Sequence, residues 1–216
     1  MVIPAQADVD PDCLQHLYAV HHSHVSTNPG ILLTGRVVTP LAIIPDGAVV
    51  VDGDRIVFAG KASELPQPWR DVQPPTGWSG KRTLLPGLVD VHCHGGAGGE
   101  FGPDASSARV AVDHHHRGGT TSLLGSLVSN SHDALVSGVV TCAALVARGD
   151  LAGIHLEGPF LSMERRGAQN PAALCDVDAG LLEALVEAGT AAVAPGALAR
   201  LTFAPDPAGA WRLAGP

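Results

Sequence analysis

From Lys81 onward, apolar runs alternate with segments of helical periodicity, and this alternation restricts the fold more than any other feature. Helices are predicted over Ala105–Arg117, from the capping residue Ser131 to Arg148, and from the capping residue Asp178. Four apolar runs typical of buried strands separate them, at residues 84–92, 120–128, 151–156 and 200–204. Strands that alternate with helices indicate an α/β fold with a parallel sheet and crossover helices. Four such units fit either a small open sheet or half of an eight-stranded barrel, because a complete barrel takes about 250 residues.

A different pattern precedes this alternation. Runs rich in β-branched residues occur at 31–38, 48–51 and 55–58, and Asp52-Gly53 is a strong hairpin signal. They predict a small antiparallel sheet that ends near Trp69. Residues 1–30 show no sustained period and are predicted to be a disordered extension. The expected domains are therefore the extension 1–30, a small β domain 31–82 and an α/β domain 83–216.

Charge and cysteine usage limit the classes of partner. The formal net charge is −8 without a block of like charges, which argues against a nucleic-acid or anionic-membrane surface. The sequence has no signal-peptide pattern and no apolar stretch near the roughly 20 residues of a membrane span. Its four cysteines are widely spaced and form no C-x-x-C pair. We expect a cytoplasmic protein that acts on a small molecule.

His92 and His94 stand at the predicted carboxyl end of the first strand of the α/β domain. Strand residues two apart point to the same side, so both imidazoles can reach one ion while Cys93 faces away. Barrel enzymes place their active sites at this end of the strands, and imidazole pairs suit zinc and similar ions. Because two such histidines would be costly to bury unpaired, the pattern predicts a metal site. Cys93 is expected to be buried and inert.

Glu157 ends the third strand, and Gly158-Pro159 then breaks the chain. Its carboxylate would lie at the same end of the strands as the histidine pair and could complete or bridge a metal site. The alternative is a solvated acid at a strand end. His155, one layer deeper, is interpreted as a hydrogen-bonded core histidine. The consecutive histidines 114–116 fan out by about 100° each on a helix, so they are interpreted as a solvated helix end.

Together these segments resemble the amidohydrolase superfamily and, within it, the N-acetylglucosamine-6-phosphate deacetylases. The superfamily pattern is the small sheet followed by residues 85–94, LPGLVDVHCH. The sharper match is residues 153–160, GIHLEGPF, followed by residues 166–171, RGAQNP. The resemblance covers about residues 31–206. It implies the first four units of a (β/α)8 barrel, preceded by part of a small β-sandwich domain.

The resemblance also implies an activity and a site. The activity is metal-dependent hydrolysis of the acetamide of N-acetylglucosamine 6-phosphate, which gives glucosamine 6-phosphate and acetate in amino-sugar catabolism. The implied metal ligands are His92, His94 and Glu157, with one or two divalent ions, zinc being expected. Ala168 and Gln169 would lie against the sugar phosphate, although the family more often has histidine in place of Gln169. Members of the family usually form homodimers.

The resemblance assigns further groups to later strands. Two more metal-binding histidines, the catalytic aspartate and most phosphate contacts are expected beyond Pro216. The 216-residue chain alone is therefore expected to be inactive and poorly soluble, unless a second polypeptide completes it. Two other interpretations stay open. One is a different metal-dependent amidohydrolase, such as a dihydroorotase-like cyclic amide hydrolase, although residues 200–206 contain no metal-bridging lysine. The other is a non-catalytic binding or remnant protein.

Overall fold

A computed structural model describes residues 30–192 and 196–214. The described residues form two compact units, and the boundary falls between Pro86 and Gly87, four residues after the predicted one. Of the extension predicted for residues 1–30, all but Gly30 lies outside the described residues. Among the described helices, none combines the length and the apolar character that a membrane span requires.

The smaller unit is built on one four-stranded sheet of order β3-β2-β1-β4. Its strands are β1 (Ile31–Val38), β2 (Ile43–Asp52), β3 (Arg55–Lys61) and β4 (Thr83–Leu84). The first three are antiparallel, and Leu32, Ala48 and Val50 form a core cluster with Leu65. This confirms the predicted hairpin.

The prediction that this sheet ends near Trp69 is wrong, because β4 adds a strand parallel to β1. The connecting segment is held along β1, where the Trp78 indole donates to the Thr34 carbonyl (2.9 Å) and the Arg36 amide donates to the Arg82 carbonyl (3.0 Å). The sheet is therefore mixed. A second layer, which would make a sandwich, stays a prediction.

The larger unit is a four-stranded parallel sheet of order β10-β9-β8-β5 with helices between the strands. In chain order its elements are β5 (Leu88–Cys93), a small hairpin of β6 (Gly95–Gly96) and β7 (Gly99–Glu100), α1 (Ala105–Arg117), β8 (Thr120–Val128), α2 (His132–Ala147), β9 (Gly153–Glu157), α3 (Ala179–Thr190) and β10 (Leu198–Thr202). The α/β alternation is confirmed. Closure of such a sheet into half of a barrel stays a prediction.

Local sequence explains most of these bounds. Ser131 and Asp178 cap α2 and α3 as predicted, each accepting from a backbone N–H in the first turn. The first strand starts at Leu88 rather than residue 84, because Pro86 cannot donate a ladder hydrogen bond. The core lies between the sheet and the helices and includes the fully buried side chains of Val139, Ile154 and Leu185 among others.

Candidate metal centre

The carboxyl ends of β5 and β9 bring three predicted ligands together. His92 lies on β5, His94 follows its last residue, and Glu157 is the last residue of β9, with β8 between the two strands. Because the strands are parallel, their carboxyl ends meet at one edge of the sheet. The side chains of His92, His94 and Glu157 meet there, although the glutamate is far from the histidines in sequence.

The donor atoms of the three residues are close enough to share one ion. The two Nε2 atoms lie 3.0 Å apart, and Glu157 places Oε1 3.4 Å from His92 Nε2 and Oε2 2.9 Å from His94 Nε2. Tetrahedral ligands with bonds of about 2.0–2.1 Å would be separated by about 3.4 Å. Two imidazole nitrogens and a carboxylate are also a donor set that divalent transition metals accept. The residues present therefore fit a divalent cation.

The ring of His94 is held in the orientation that ligation needs. Its Nδ1 lies 3.1 Å from the Ser126 carbonyl oxygen on β8. A carbonyl can only accept, so Nδ1 carries a proton and Nε2 is the ring nitrogen left to face an ion. Asp90 constrains the backbone of the same strand, since its Oδ1 accepts from the His92 amide at 3.1 Å.

Glu157 is positioned by the loop that follows it. Gln169 donates from Nε2 to Glu157 Oε2 at 2.9 Å, and its Oε1 accepts from the Ser129 amide at 2.9 Å. Gly158 has φ 88°, and a Cβ there would lie 2.3 Å from Ser129 Oγ, so a side chain at this position would displace the turn. The chain therefore bends sharply after Glu157 while the Gln169 amide bridges β8 and β9.

His155 lies beneath the site and is fully buried. Its Nδ1 is 2.9 Å from Ser126 Oγ and its Nε2 is 2.8 Å from Thr202 Oγ1, so both ring nitrogens are bonded. Burial, assisted by the neighbouring His92, lowers the pKa of His155 to about 4. The ring is therefore neutral at pH 7. The interpretation of His155 as a hydrogen-bonded core histidine is confirmed.

The two predicted substrate contacts lie in the loop after β9. Gln169 is half-buried against Glu157, and Ala168 beside it is exposed. Their contact with a sugar phosphate stays a prediction. The roles of Ser126 and Ser129 were missed, although a polar residue such as Ser126 inside the apolar run of β8 was a signal for a buried hydrogen bond.

The interpretation of residues 114–116 as a solvated helix end is wrong for His115. His115 is half-buried, and its Nε2 lies 3.0 Å from Cys93 Sγ and 3.0 Å from the Gly95 carbonyl oxygen. Successive helical side chains point about 100° apart, so His115 can face β5 while His114 remains exposed. Burial raises the pKa of the Cys93 thiol, partly offset by its hydrogen bond to Gly95, which agrees with the predicted inert thiol.

Known proteins similar to this chain in sequence include amino-sugar-phosphate deacetylases and imidazolonepropionases. No family model matches the chain. It is 33% identical over 144 residues to N-acetylglucosamine-6-phosphate deacetylase of Bacillus subtilis, covering 60% of this chain and 35% of that protein. It is 32% identical over 128 residues to imidazolonepropionase of Streptomyces griseus, covering 59% of this chain and 30% of that protein.

A solved structure matches the fold more extensively. N-acetyl-D-glucosamine-6-phosphate deacetylase from Mycobacterium smegmatis superposes with a TM-score of 0.70 and 33% identity, covering 84% of this chain and 46% of that one. A mutant of the same enzyme, in complex with N-acetyl-D-glucosamine-6-phosphate, matches with a TM-score of 0.69. The chain spans less than half the length of each of these relatives. In sequence and in fold, the chain is thus similar to part of the N-acetylglucosamine-6-phosphate deacetylases of the amidohydrolase family.

Proposed function

We propose that this chain belongs to an enzyme that hydrolyses the acetamide of N-acetylglucosamine 6-phosphate to glucosamine 6-phosphate and acetate. The observation that carries the proposal is the convergence of His92, His94 and Glu157 at the carboxyl ends of β5 and β9. Deacetylases named for this substrate are similar to the chain in sequence and fold, and one has been solved with the sugar phosphate itself. We also propose a cytoplasmic setting, which agrees with the free thiols of Cys93, Cys142 and Cys175 in the described part of the chain.

We propose zinc as the ion, held by Nε2 of His92, Nε2 of His94 and the carboxylate of Glu157. When bound, a divalent ion polarises a carbonyl group and lowers the pKa of a bound water toward about 7. The protein prepares this chemistry through its own hydrogen bonds. Ser126 holds the proton of His94 on Nδ1, and Gln169 fixes Oε2 of Glu157. Such second partners orient the ligands before an ion arrives.

The loop after β9 is the proposed place for the sugar phosphate, at Ala168 and Gln169. Gln169 is already bonded through both ends of its amide, so it has little freedom to turn toward a substrate. We therefore propose that Ala168 and its backbone make the closer contact with the substrate. The family resemblance assigns a further step, the transfer of a proton to the departing amine, to an aspartate outside residues 1–216.

Hydrolysis of a cyclic amide is the second candidate function. It is favoured by the similarity to imidazolonepropionase, which extends over more than half of this chain. The same three ligands would serve either reaction, because in both an activated water attacks a carbonyl carbon. The substrate therefore has to be distinguished by experiment.

The test is metal and ligand binding by purified residues 1–216. We expect Zn²⁺ to bind to the wild type and to bind on the order of 100-fold more weakly to Glu157→Ala, measured by titration calorimetry. Glu164→Ala is the control, because Glu164 is an exposed acid in the same loop. All samples carry His115→Gln, because His115 belongs with Asp90 and Cys93 to a second group of ligand atoms that could also bind zinc. Equal affinity with and without Glu157→Ala would refute the metal centre.

Ligand preference is measured on the zinc-loaded chain. The proposal predicts binding of N-acetylglucosamine 6-phosphate and no detectable binding of dihydroorotate or imidazolonepropionate. The reverse preference would replace the proposed substrate with a cyclic amide. We expect no release of acetate from residues 1–216 alone, and measurable release would show that the catalytic acid lies within them.

A further inference from the structure

A second group of ligand atoms lies between β5 and α1 and shares no residue with the candidate metal centre. It consists of the Asp90 carboxylate, Cys93 Sγ and His115 Nε2, all within 4.8 Å of one another. Sγ and Nε2 are 3.0 Å apart. We propose that these three side chains form a second cation site, which takes a thiophilic divalent ion such as Zn²⁺ or Cd²⁺. The proposal does not depend on the proposed function.

The donor set decides the class of ion. A thiolate and an imidazole select zinc, cadmium or cobalt(II) over the hard ions Mg²⁺ and Ca²⁺, which take oxygen ligands. Zinc bonds of about 2.0–2.3 Å would separate tetrahedral ligands by about 3.3–3.8 Å. The separations found here start at 3.0 Å and stay within 4.8 Å. Small side-chain adjustments would therefore bring the three ligand atoms to the separations that a bound zinc ion requires.

A backbone oxygen adds a fourth donor. The Gly95 carbonyl oxygen lies 3.4 Å from Cys93 Sγ and 3.0 Å from His115 Nε2, and without an ion it accepts from both. Binding of an ion would therefore release the thiol proton to solvent and leave the imidazole proton on Nδ1, which frees the Nε2 lone pair. An ion between the sulfur and the ring nitrogen would have this oxygen at hand as well. The cluster thus offers S, N, O and O donors from β5, the turn after it and α1.

Two local features of the backbone create this cluster. The pairing of β5 with β8 is irregular between Asp90 and Cys93, so the simple alternation of strand faces is broken there. The absence of a side chain at Gly96 admits the histidine, because a Cβ there would lie 2.9 Å from His115 Nε2. Because Asp90 also accepts from the His92 amide, an ion in this site would stiffen the segment that carries the two histidines of the metal centre.

Cobalt(II) titration tests the proposal, because only a thiolate ligand gives an intense sulfur-to-cobalt charge-transfer absorption in the near ultraviolet. The candidate metal centre contains no sulfur. The parent protein carries Cys13→Ser and Cys175→Ser, which removes two other thiols and leaves the fully buried Cys142 common to all samples. We expect the parent to show the absorption and Cys93→Ser to lose it.

His115→Gln and His116→Gln form the matched pair. His115→Gln is expected to weaken cobalt binding at this site by on the order of tenfold or more, and His116→Gln to leave it unchanged. Glu157→Gln should retain the absorption, which separates this site from the metal centre. Circular dichroism checks that each variant is folded. If Cys93→Ser does not fold, the comparison of His115→Gln with His116→Gln tests the site instead.

A folded parent without the absorption would overturn the proposal and leave Cys93 and His115 as a simple hydrogen-bonded contact. An absorption that survives both Cys93→Ser and His115→Gln would overturn it too.

Discussion

At the scale of single residues, Glu157 connects the ligands of the candidate metal centre. One oxygen faces His92, while the other faces His94 and accepts from Gln169. Gln169 itself is held by the Ser129 amide, so a backbone group of the β8 end sets the position of the β9 carboxylate. A free glutamate would have to lose side-chain entropy when an ion binds, and this hydrogen bond removes part of that loss in advance.

Replacement of Gln169 by alanine tests this positioning. We expect Gln169→Ala to weaken zinc binding by about 10- to 100-fold, because Oε2 of Glu157 loses its donor and the Ser129 amide loses its acceptor. Competition with a coloured chelator measures the affinity. Glu164→Ala, in the same loop, should bind zinc like the wild type. Wild-type affinity in Gln169→Ala would mean that Glu157 is positioned by the strand alone.

At the scale of elements, an ion-pair network ties α1 to the connection between α2 and β9. Asp150 lies in that connection, and its Oδ1 is 2.9 Å from Arg109 Nη1 on α1. Arg148 holds the other carboxylate oxygen at 2.6 Å, and Arg109 also pairs with Asp113. Burial acts to raise the pKa of Asp150, but the hydrogen bonds from Arg109 and Arg148 outweigh it and hold the pKa below its ordinary value.

Asp150→Asn should therefore lower stability in a pH-dependent way. A lowered carboxyl pKa stabilises the fold above the unfolded value of about 3.9, and this contribution is lost as the pH falls through the folded value. We expect Asp150→Asn to lower the free energy of unfolding by about 1 kcal/mol at pH 7. The difference from the wild type should shrink below about pH 4.

Denaturant unfolding across this pH range measures the effect. Glu183→Gln, an exposed acid on α3, is the control and should track the wild type throughout. A difference between wild type and Asp150→Asn that stays constant down to the acid limit would exclude the ion pairs as its source.

At the scale of the whole molecule, the sheet of the larger unit has open sides. Among the described residues, β5 pairs only with β8 and β10 only with β9. The side chains of Val89 and Val91 on β5 are 64% and 47% exposed. An edge strand with one unpaired side and apolar side chains is a template for pairing with another chain.

We therefore expect residues 1–216 to self-associate as their concentration rises, and Val89→Lys to reduce this association. A lysine places a charge on the edge strand and removes apolar surface. Sedimentation velocity over a concentration series measures it. Val186→Lys on α3 is the control, because it removes a comparably exposed valine without touching a strand. A wild-type chain that stays monomeric at every concentration would contradict the prediction.

The secondary-structure elements and the candidate ligands could be derived from the sequence because their signals are local. Hydrophobic period and capping residues depend on neighbours within a few positions, so α1, β8 and the caps at Ser131 and Asp178 were predicted within the observed bounds. The spacing of His92 and His94 placed both rings on one side of a strand for the same reason.

Contacts between distant segments were decided by the tertiary structure. The hydrogen bond of Gln169 to Glu157 depends on how a loop folds back over β9, and the approach of His115 to Cys93 depends on a strand irregularity and on Gly96. No local period encodes such distances, because they follow from the packing of whole elements. The sequence by itself determined which groups could bind an ion, and only the packing of β5, β8, β9 and α1 decided which of them meet.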